Sequence, residues 1–347
     1  MATGAAGAAE LPDDRADLLF HAYNGGGVRV AGPALLLRKS IVDRVSLNAS
    51  YTVDLMSNAS IDVVTAASPY KERRHEENLG VDLLVRDALV SFVIGRSSEP
   101  DYSTNNADLD VAQDVFGGLT TIRIGYSRGF DRIGKRGTIG QIDAANHSRM
   151  RLGASQVLTP RLTVSADWEA LTDNGLLGSP YRVARVFSAA VPERVPRTRS
   201  ARAIKLRVVG DLGSRRILRA EYRYTYDTWD INSRTVELGL RERLGESWMV
   251  DAYLRGYAQN RASFYSDNAA QQTPFVSRNR QLSTFNDVGL GAKLAYTAGR
   301  LAGRFDVRLN AAYERVRYSY DDFTDVRTGQ PYMHDANLFQ FSVSATF

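Results

Sequence analysis

Cysteine is missing altogether from this chain of 347 residues. Its absence excludes a disulfide scaffold and any thiolate metal site. It suits a protein that crosses an oxidising compartment with no thiol to mispair. Long hydrophobic runs are missing too. The most apolar stretch, Ala88 to Ile94 (ALVSFVI), is strand-sized, far short of the roughly 18 to 20 unbroken apolar residues of a membrane helix. That excludes a helical membrane protein and leaves a barrel open, because only every second residue of a barrel strand meets lipid. Basic runs are absent: the formal charge of +5 comes from arginine spread along the chain, so no nucleic-acid tail or groove is expected. The nucleotide-binding patterns GxGxxG and GxxxxGK[ST] do not occur. The start, MATGAAGAAELPDD, has neither a charged n-region nor an apolar h-region. Residues 1–14 are therefore read as a mature leader or tail, and 15–347 as one domain.

What the sequence does have is period-two alternation, repeated from end to end. Val45, Leu47, Ala49, Tyr51, Val53 and Leu55 alternate with Arg44, Ser46, Asn48, Ser50, Thr52 and Asp54. Phe305, Val307, Leu309, Ala311 and Tyr313 alternate with Arg304, Asp306, Arg308, Asn310, Ala312 and Glu314. A strand turns each successive side chain to the opposite face, so each segment has one apolar and one polar face. No long segment has the 3.6 period of an amphipathic helix. Past Glu314 the phase slips: Arg315 and Arg317 fall on the apolar face. Either the strand leaves the lipid near Tyr313 or a bulge resets its faces there.

Short turns alternate with long connections. Phe116-Gly117-Gly118, Thr159-Pro160-Arg161, GDLGS (Gly210 to Ser214) and LGES (Leu244 to Ser247) suit tight hairpins. Long loops are expected near 57–74, 128–146, 173–197, 260–281 and 321–335. Short turns at one end and long loops at the other are the pattern of an outer-membrane barrel. The fold class is therefore all-β: a transmembrane antiparallel up-and-down β-barrel of about sixteen strands, with fourteen as the alternative. Both termini and the short turns face the periplasm. The final segment, LFQFSVSATF, alternates to its last residue, and barrel closure removes the exposed edge it would otherwise present. Tyr51, Tyr126, Trp168, Tyr222, Tyr224, Tyr226, Trp229, Trp248, Tyr257 and Tyr296 are read as aromatic girdles.

Several stretches resemble a family of bacterial outer-membrane barrels that carries only a domain-of-unknown-function label. They are VFGGLTTIRIGYSRGFD (Val115 to Asp131), VPRTRS (Val195 to Ser200), EYRYTYDTW (Glu221 to Trp229), FYSD (Phe264 to Asp267), LSTF (Leu282 to Phe285) and YDDF (Tyr320 to Phe323). The resemblance implies a multi-pass protein of the bacterial outer membrane, in contact with lipid and lipopolysaccharide and built by the barrel-assembly machinery. Phe347 resembles the C-terminal aromatic of that machinery's assembly signal. The resemblance implies no catalytic residue. It suggests a setting beside a small lipoprotein, a thioredoxin-like protein and a flavin transferase, hence a periplasmic or exported redox partner.

With the apolar face on lipid, the polar face lines a lumen. In the later strands it presents Lys205, Arg207, Arg219, Arg223, Arg241, Arg255, Lys293, Arg304 and Arg308, interleaved with Asp167, Glu169, Glu221, Glu237, Asp251, Asp287 and Glu314. Two arrangements follow. Free cations would make an anion-favouring passive or gated channel for small solutes. Paired charges would make a salt-bridged wall in a closed structural or partner-binding barrel. The segment 173–197, with Leu176, Leu177, Val186 and Phe187, is expected to fold inward.

Chemistry is sparse. The histidines are His21, His75, His147 and His334. His147 and Ser148 are adjacent on a strand and point apart, which leaves no serine–histidine pair. An outer-membrane hydrolase is the third and least favoured reading, and the chain is expected not to be an enzyme. Asp321, Asp322 and Asp325, and likewise Asp173-Asn174-Gly175, lack the ligand spacing of a calcium loop. No metal or cofactor is expected.

Overall fold

A computed structural model describes residues 10–58 and 70–347. Its first nine strands are β1 (Arg15–Gly25), β2 (Val28–Val42), β3 (Val45–Asn58), β4 (Tyr70–Val85), β5 (Ala88–Ser98), β6 (Tyr102–Val115), β7 (Thr120–Ile133), β8 (Asp143–Thr159) and β9 (Leu162–Gly175). The connection after β9 carries a small hairpin of its own, β10 (Val183–Val186) and β11 (Ala189–Pro192). The chain then continues through β12 (Thr198–Gly213), β13 (Arg216–Asp227), β14 (Asn232–Leu244), β15 (Trp248–Gln259), β16 (Phe285–Leu301), β17 (Phe305–Asp325) and β18 (Gln330–Thr346). All but β10 and β11 form one closed antiparallel barrel, each strand beside its chain neighbours, with β18 paired to β1. The barrel has sixteen strands, not fourteen.

Alternation decides which side chains face out. On β13, Leu218, Tyr222 and Tyr226 are exposed on the outer wall, while Arg219, Glu221 and Arg223 turn inward. On β12, Ile204, Leu206 and Val208 lie outside and Lys205 and Arg207 inside. The apolar band therefore covers the outside of the barrel, the inverse of a soluble protein. Turns at the end holding both termini are tight. Ser214 and Arg215 both take positive φ, 50° and 69°, the geometry of a two-residue hairpin turn that follows the twist of its strands.

Three features differ from the sequence reading. The expected loop 321–335 is mostly strand: β17 runs to Asp325 and β18 starts at Gln330. The loop expected at 128–146 shrinks to 134–142. Of 57–74, residues 59–69 lie outside the described residues, as do 1–9 of the leader. Of the two readings at Tyr313, the bulge is excluded: the register with β18 is unbroken from Asp306 to Ser319. Arg315 and Arg317 simply stand on the outer wall beyond the apolar band, and Arg315 reaches Asp335 at 2.6 Å. Trp229 is no girdle residue; it is buried with Ile231, Ala262, Tyr265 and Leu282.

At the turn end, the seam between first and last strands is latched. The Phe347 amide donates to the Asp14 carbonyl at 3.0 Å, and the Asp14 carboxylate accepts from Lys39 Nζ at 2.5 Å and from the Ser40 amide at 2.6 Å. The Lys39 and Ser40 hydrogen bonds bring Asp14 down to about 2. A depressed carboxylate contributes above its unfolded value and loses that contribution as pH falls through the folded one. Asp14→Asn is expected to speed hydrogen exchange at Ser40 and Phe347 while mid-strand amides keep their protection. Unchanged exchange at both would show that the latch carries nothing.

Candidate functional site

The lumen charges form a network along the wall. Lys205 lies 3.4 Å from Asp167 and Arg207 2.7 Å from Glu221. Arg223 reaches over β12 to Glu169 at 2.8 Å. Arg219 contacts Glu237 at 3.2 Å and Asp251 at 3.4 Å, and Arg241 also holds Asp251, at 2.7 Å. Arg255 lies 3.1 Å from Asp287 and 3.8 Å from Glu314. Of the cations expected to line the lumen, these six are paired. Lys293 and Arg308 face inward without an ion pair among the described residues. Arg304 is different. It belongs to the turn before β17, where its amide donates to the Leu301 carbonyl, and its guanidinium lies over the Phe305 ring. A turn breaks the alternation on which its placement relied.

The earlier strands, which the sequence reading of the lumen did not cover, carry further ion pairs. Asp54 is almost fully buried and accepts from Arg74 Nη2 at 2.6 Å, with His21 Nε2 at 2.7 Å. Arg38 meets Asp82 at 2.5 Å, and Arg151 meets Asp110 at 2.8 Å. Arg123 and Arg149 also point inward with no ion pair among the described residues. The same period-two count would have found all of these.

Among the described residues, every ion pair between barrel strands joins neighbours or next-but-one neighbours. None bridges opposite walls, so the charges line the bore instead of crossing it.

At the loop end, two connections interlock over the mouth. The segment after β9 and the segment between β15 and β16 exchange backbone hydrogen bonds at Arg194 and Val276, and at Phe187 and Ala269. Leu177, Val195 and Phe264 pack against the buried cluster around Trp229. Val186 is buried with Ala184 and Val276, whereas Phe187 projects from the hairpin tip, 70% exposed. The longer connection is strapped to the far strands by two arginines. Arg278 stacks on Phe323, 4.4 Å from its centroid, and donates to the Thr324 carbonyl at 2.6 Å. Arg280 lies over Tyr332 and donates to the Gly26 carbonyl at 3.3 Å. Cation–π and charge-assisted contacts of this kind are individually modest and jointly fix the loop.

Between these loops and the β4–β9 wall lies a cavity of about 890 Å³. Leu176, Leu177, Trp229 and Leu282 line one side and Glu72, Glu99, Asp101, Asp131 and Asp173 the other. His147 faces this cavity. Its Nδ1 lies 2.9 Å from Asp173 and its Nε2 contacts Asp131, which also accepts from Tyr102. With carboxylates at both ring nitrogens, the ring is held in place by ion pairs. Burial pushes the Glu99 carboxyl up against the pull of Arg74, and Glu72 and Asp101 add to the rise. Carboxylate oxygens of Glu72, Glu99 and Asp101 all lie within 4.8 Å of one another. These three could hold a cation, although Arg136 already reaches Glu72 at 3.4 Å. Asp322 and Asp325 are engaged elsewhere, with Thr284 and Arg327.

Residues 61–319 match the family described as a protein of unknown function (DUF3570). No curated protein matches the chain. Among solved structures, a bacterial polysaccharide outer membrane secretin is similar over 96% of this chain and 98% of its own, at 9% identity and a TM-score of 0.54. The siderophore receptor PirA from Pseudomonas aeruginosa is similar over 90% of this chain, at 14% identity and a TM-score of 0.46; the chain spans 60% of that receptor. OmpT, an outer membrane protein of Vibrio cholerae, matches over 96% of this chain and 97% of its own, at 10% identity and a TM-score of 0.49. At such identities the likeness concerns the fold, that of outer-membrane β-barrels.

Proposed function

The chain belongs to the family described as a protein of unknown function (DUF3570), and from its barrel we propose a passive channel of the bacterial outer membrane for small polar solutes. The observation that carries this reading is the course of the ion pairs. They run along the wall, and so leave the bore free of charge-to-charge bridges among the described residues. Solute would enter through the mouth cavity and pass the unpaired Arg123, Arg149, Lys293 and Arg308. Cations without a partner raise local anion concentration, whereas cations in pairs contribute little net field. Anion preference therefore rests on these four, not on the paired arginines. No chemical step is involved. Phe347 serves in this reading as the assembly signal, and its ring packs edge-on against Phe305 at 5.5 Å.

Conductance of the refolded protein in a planar bilayer, with reversal potential under a salt gradient, tests the proposal. Discrete steps with anion preference are expected. Lys293→Gln with Arg308→Gln should move the reversal potential toward cations. A shift absent from open, folded channels would remove the selectivity argument. The strapped mouth favours a second reading, a closed barrel that binds a periplasmic or exported partner. Silence from protein shown folded by heat-modifiable gel mobility would select it.

A further inference from the structure

The outer wall carries charge unevenly. At the turn end, outward cations are neutralised: Lys39 holds Asp14 at 2.5 Å, and Arg216 holds Glu242 at 2.9 Å. At the loop end, just past the apolar band, outward arginines accumulate; the acids in register with them are Glu77, opposite Arg96, and Asp335, opposite Arg317, and no ion pair joins Arg96 to Glu77 among the described residues. The direction of the arginines follows from parity. Arg96 shares its face with the exposed Phe92 and Ile94 of β5; Arg128 and Arg132 share theirs with Ile122, Ile124, Tyr126 and Phe130 of β7.

Register brings these three arginines around one spot. Arg96 is opposite Asn105 on β6, and Asn105 is opposite Phe130 on β7. Arg128 and Arg132 stand two positions to either side of Phe130. Neighbouring strands lie roughly 4.8 Å apart, so the guanidinium groups can converge over the small, polar Asn105. None of the three makes an ion pair among the described residues. Arg128 rests on the Phe130 ring, 5.3 Å from its centroid. Immediately toward the apolar band the surface is hydrophobic, with Phe92, Ile94, Leu109 and Tyr126 all exposed.

Unpaired guanidinium groups in a fork geometry recognise phosphate oxygens. A free anion would have no use for the apolar surface directly beneath. An amphiphile with phosphate at its head and acyl chains below matches both parts. We propose that the outer face of β5–β7 binds the phosphorylated headgroup of a membrane glycolipid, with its acyl chains against the exposed residues of the same strands. Arg73, Arg202, Arg234 and Arg317, outward on other strands at the same end, extend the basic edge around the barrel. The assignment rests on the barrel being a membrane protein but not on its conducting.

Native mass spectrometry of the folded barrel in neutral detergent tests it, with bisphosphorylated lipid A and the same lipid stripped of its phosphates as probes. The wild type should retain the phosphorylated lipid preferentially. Replacing Arg96, Arg128 and Arg132 together by Gln should cut that retention by at least about tenfold, given the worth of each basic residue near an anionic surface. Arg96→Gln alone, an exposed change, should give a smaller loss and serves if the triple variant folds poorly. Arg216→Gln at the opposite end should change nothing. Equal retention of both lipids, or an undiminished preference in the triple variant, would overturn the proposal. So would displacement of the lipid by millimolar inorganic phosphate, which would mark a simple anion site. A barrel silent in bilayers yet selective for the phosphorylated lipid keeps this assignment and loses the channel.

Discussion

Replacing residues 263–281 by a short glycine–serine link is expected to raise single-channel conductance severalfold. That segment contributes Tyr265 to the buried cluster over the mouth, and Arg278 and Arg280 to the straps on Phe323, Tyr332 and Gly26. Its removal also frees the connection after β9, whose Arg194 loses its backbone partner Val276. The barrel ladder does not depend on either. Loops pack through few contacts and open at far lower cost than core strands, so the variant should keep its heat-modifiable mobility. Planar-bilayer recording decides: a folded variant with wild-type conductance would show that the constriction lies elsewhere, deeper in the bore.

The second large effect is on folding. Gly32→Ala should cost about 3 kcal/mol or more, because the new methyl group has no way to relax into free space. At Gly32 the backbone of β3 presses against β2, and an added Cβ would lie 1.6 Å from the Val53 carbonyl oxygen. The next residue, Pro33, has no amide to give the ladder, and the β2–β3 pairing skips both between Ala31↔Leu55 and Ala34↔Thr52. The close approach is what a glycine before that proline permits. Gly210→Ala and Gly256→Ala are the controls: both sit in strands, and an added Cβ meets nothing within 4 Å. Urea titration of the refolded barrel should find Gly32→Ala unfolding far earlier and the controls close to the wild type. Equal midpoints would mean that β3 moves away easily, and that the contact is not a constraint.

The strand pattern was legible because lipid outside and charge inside enforce a strict period of two. The alternation read at 45–55 and 305–313 lies within β3 and β17, and the tight turns read at Phe116 to Gly118 and at Gly210 to Ser214 lie at strand ends. Legibility failed where the enforcing solvent changes. Beyond Tyr313, and around Asp321 to Asp335, both faces of the hairpin meet water or loop, so polar residues no longer report direction; the extension of β17 and β18 looked like loop. Arg304 was misplaced for the related reason that a turn does not alternate. The pairing of Arg223 with Glu169 or Arg255 with Glu314 depends on reach across an intervening strand, which alternation within one segment does not encode. Trp229 looked like a girdle residue because aromatic residues end strands for two reasons, to meet an interface or to cap a mouth. Only the neighbours Ala262 and Leu282, far along the chain, separate the two.

The ion pairs that skip a strand bear on how such a wall can be put together. Arg38 of β2 finds its carboxylate on β4, Arg151 of β8 on β6, Arg219 of β13 on β15, and Arg255 of β15 both on β16 and on β17. A hairpin completed alone leaves such a charge dangling into the unfinished interior. For Arg38 and Arg151 the carboxylate arrives only when the following or preceding hairpin docks in register, whereas Arg219 and Arg255 also hold one on the adjacent strand; a slip by one residue would send the skipped-strand partner to the lipid side. Where such a pair spans two hairpins, a misregistered partner would leave the charge unpaired, so these pairs favour the native register at those steps.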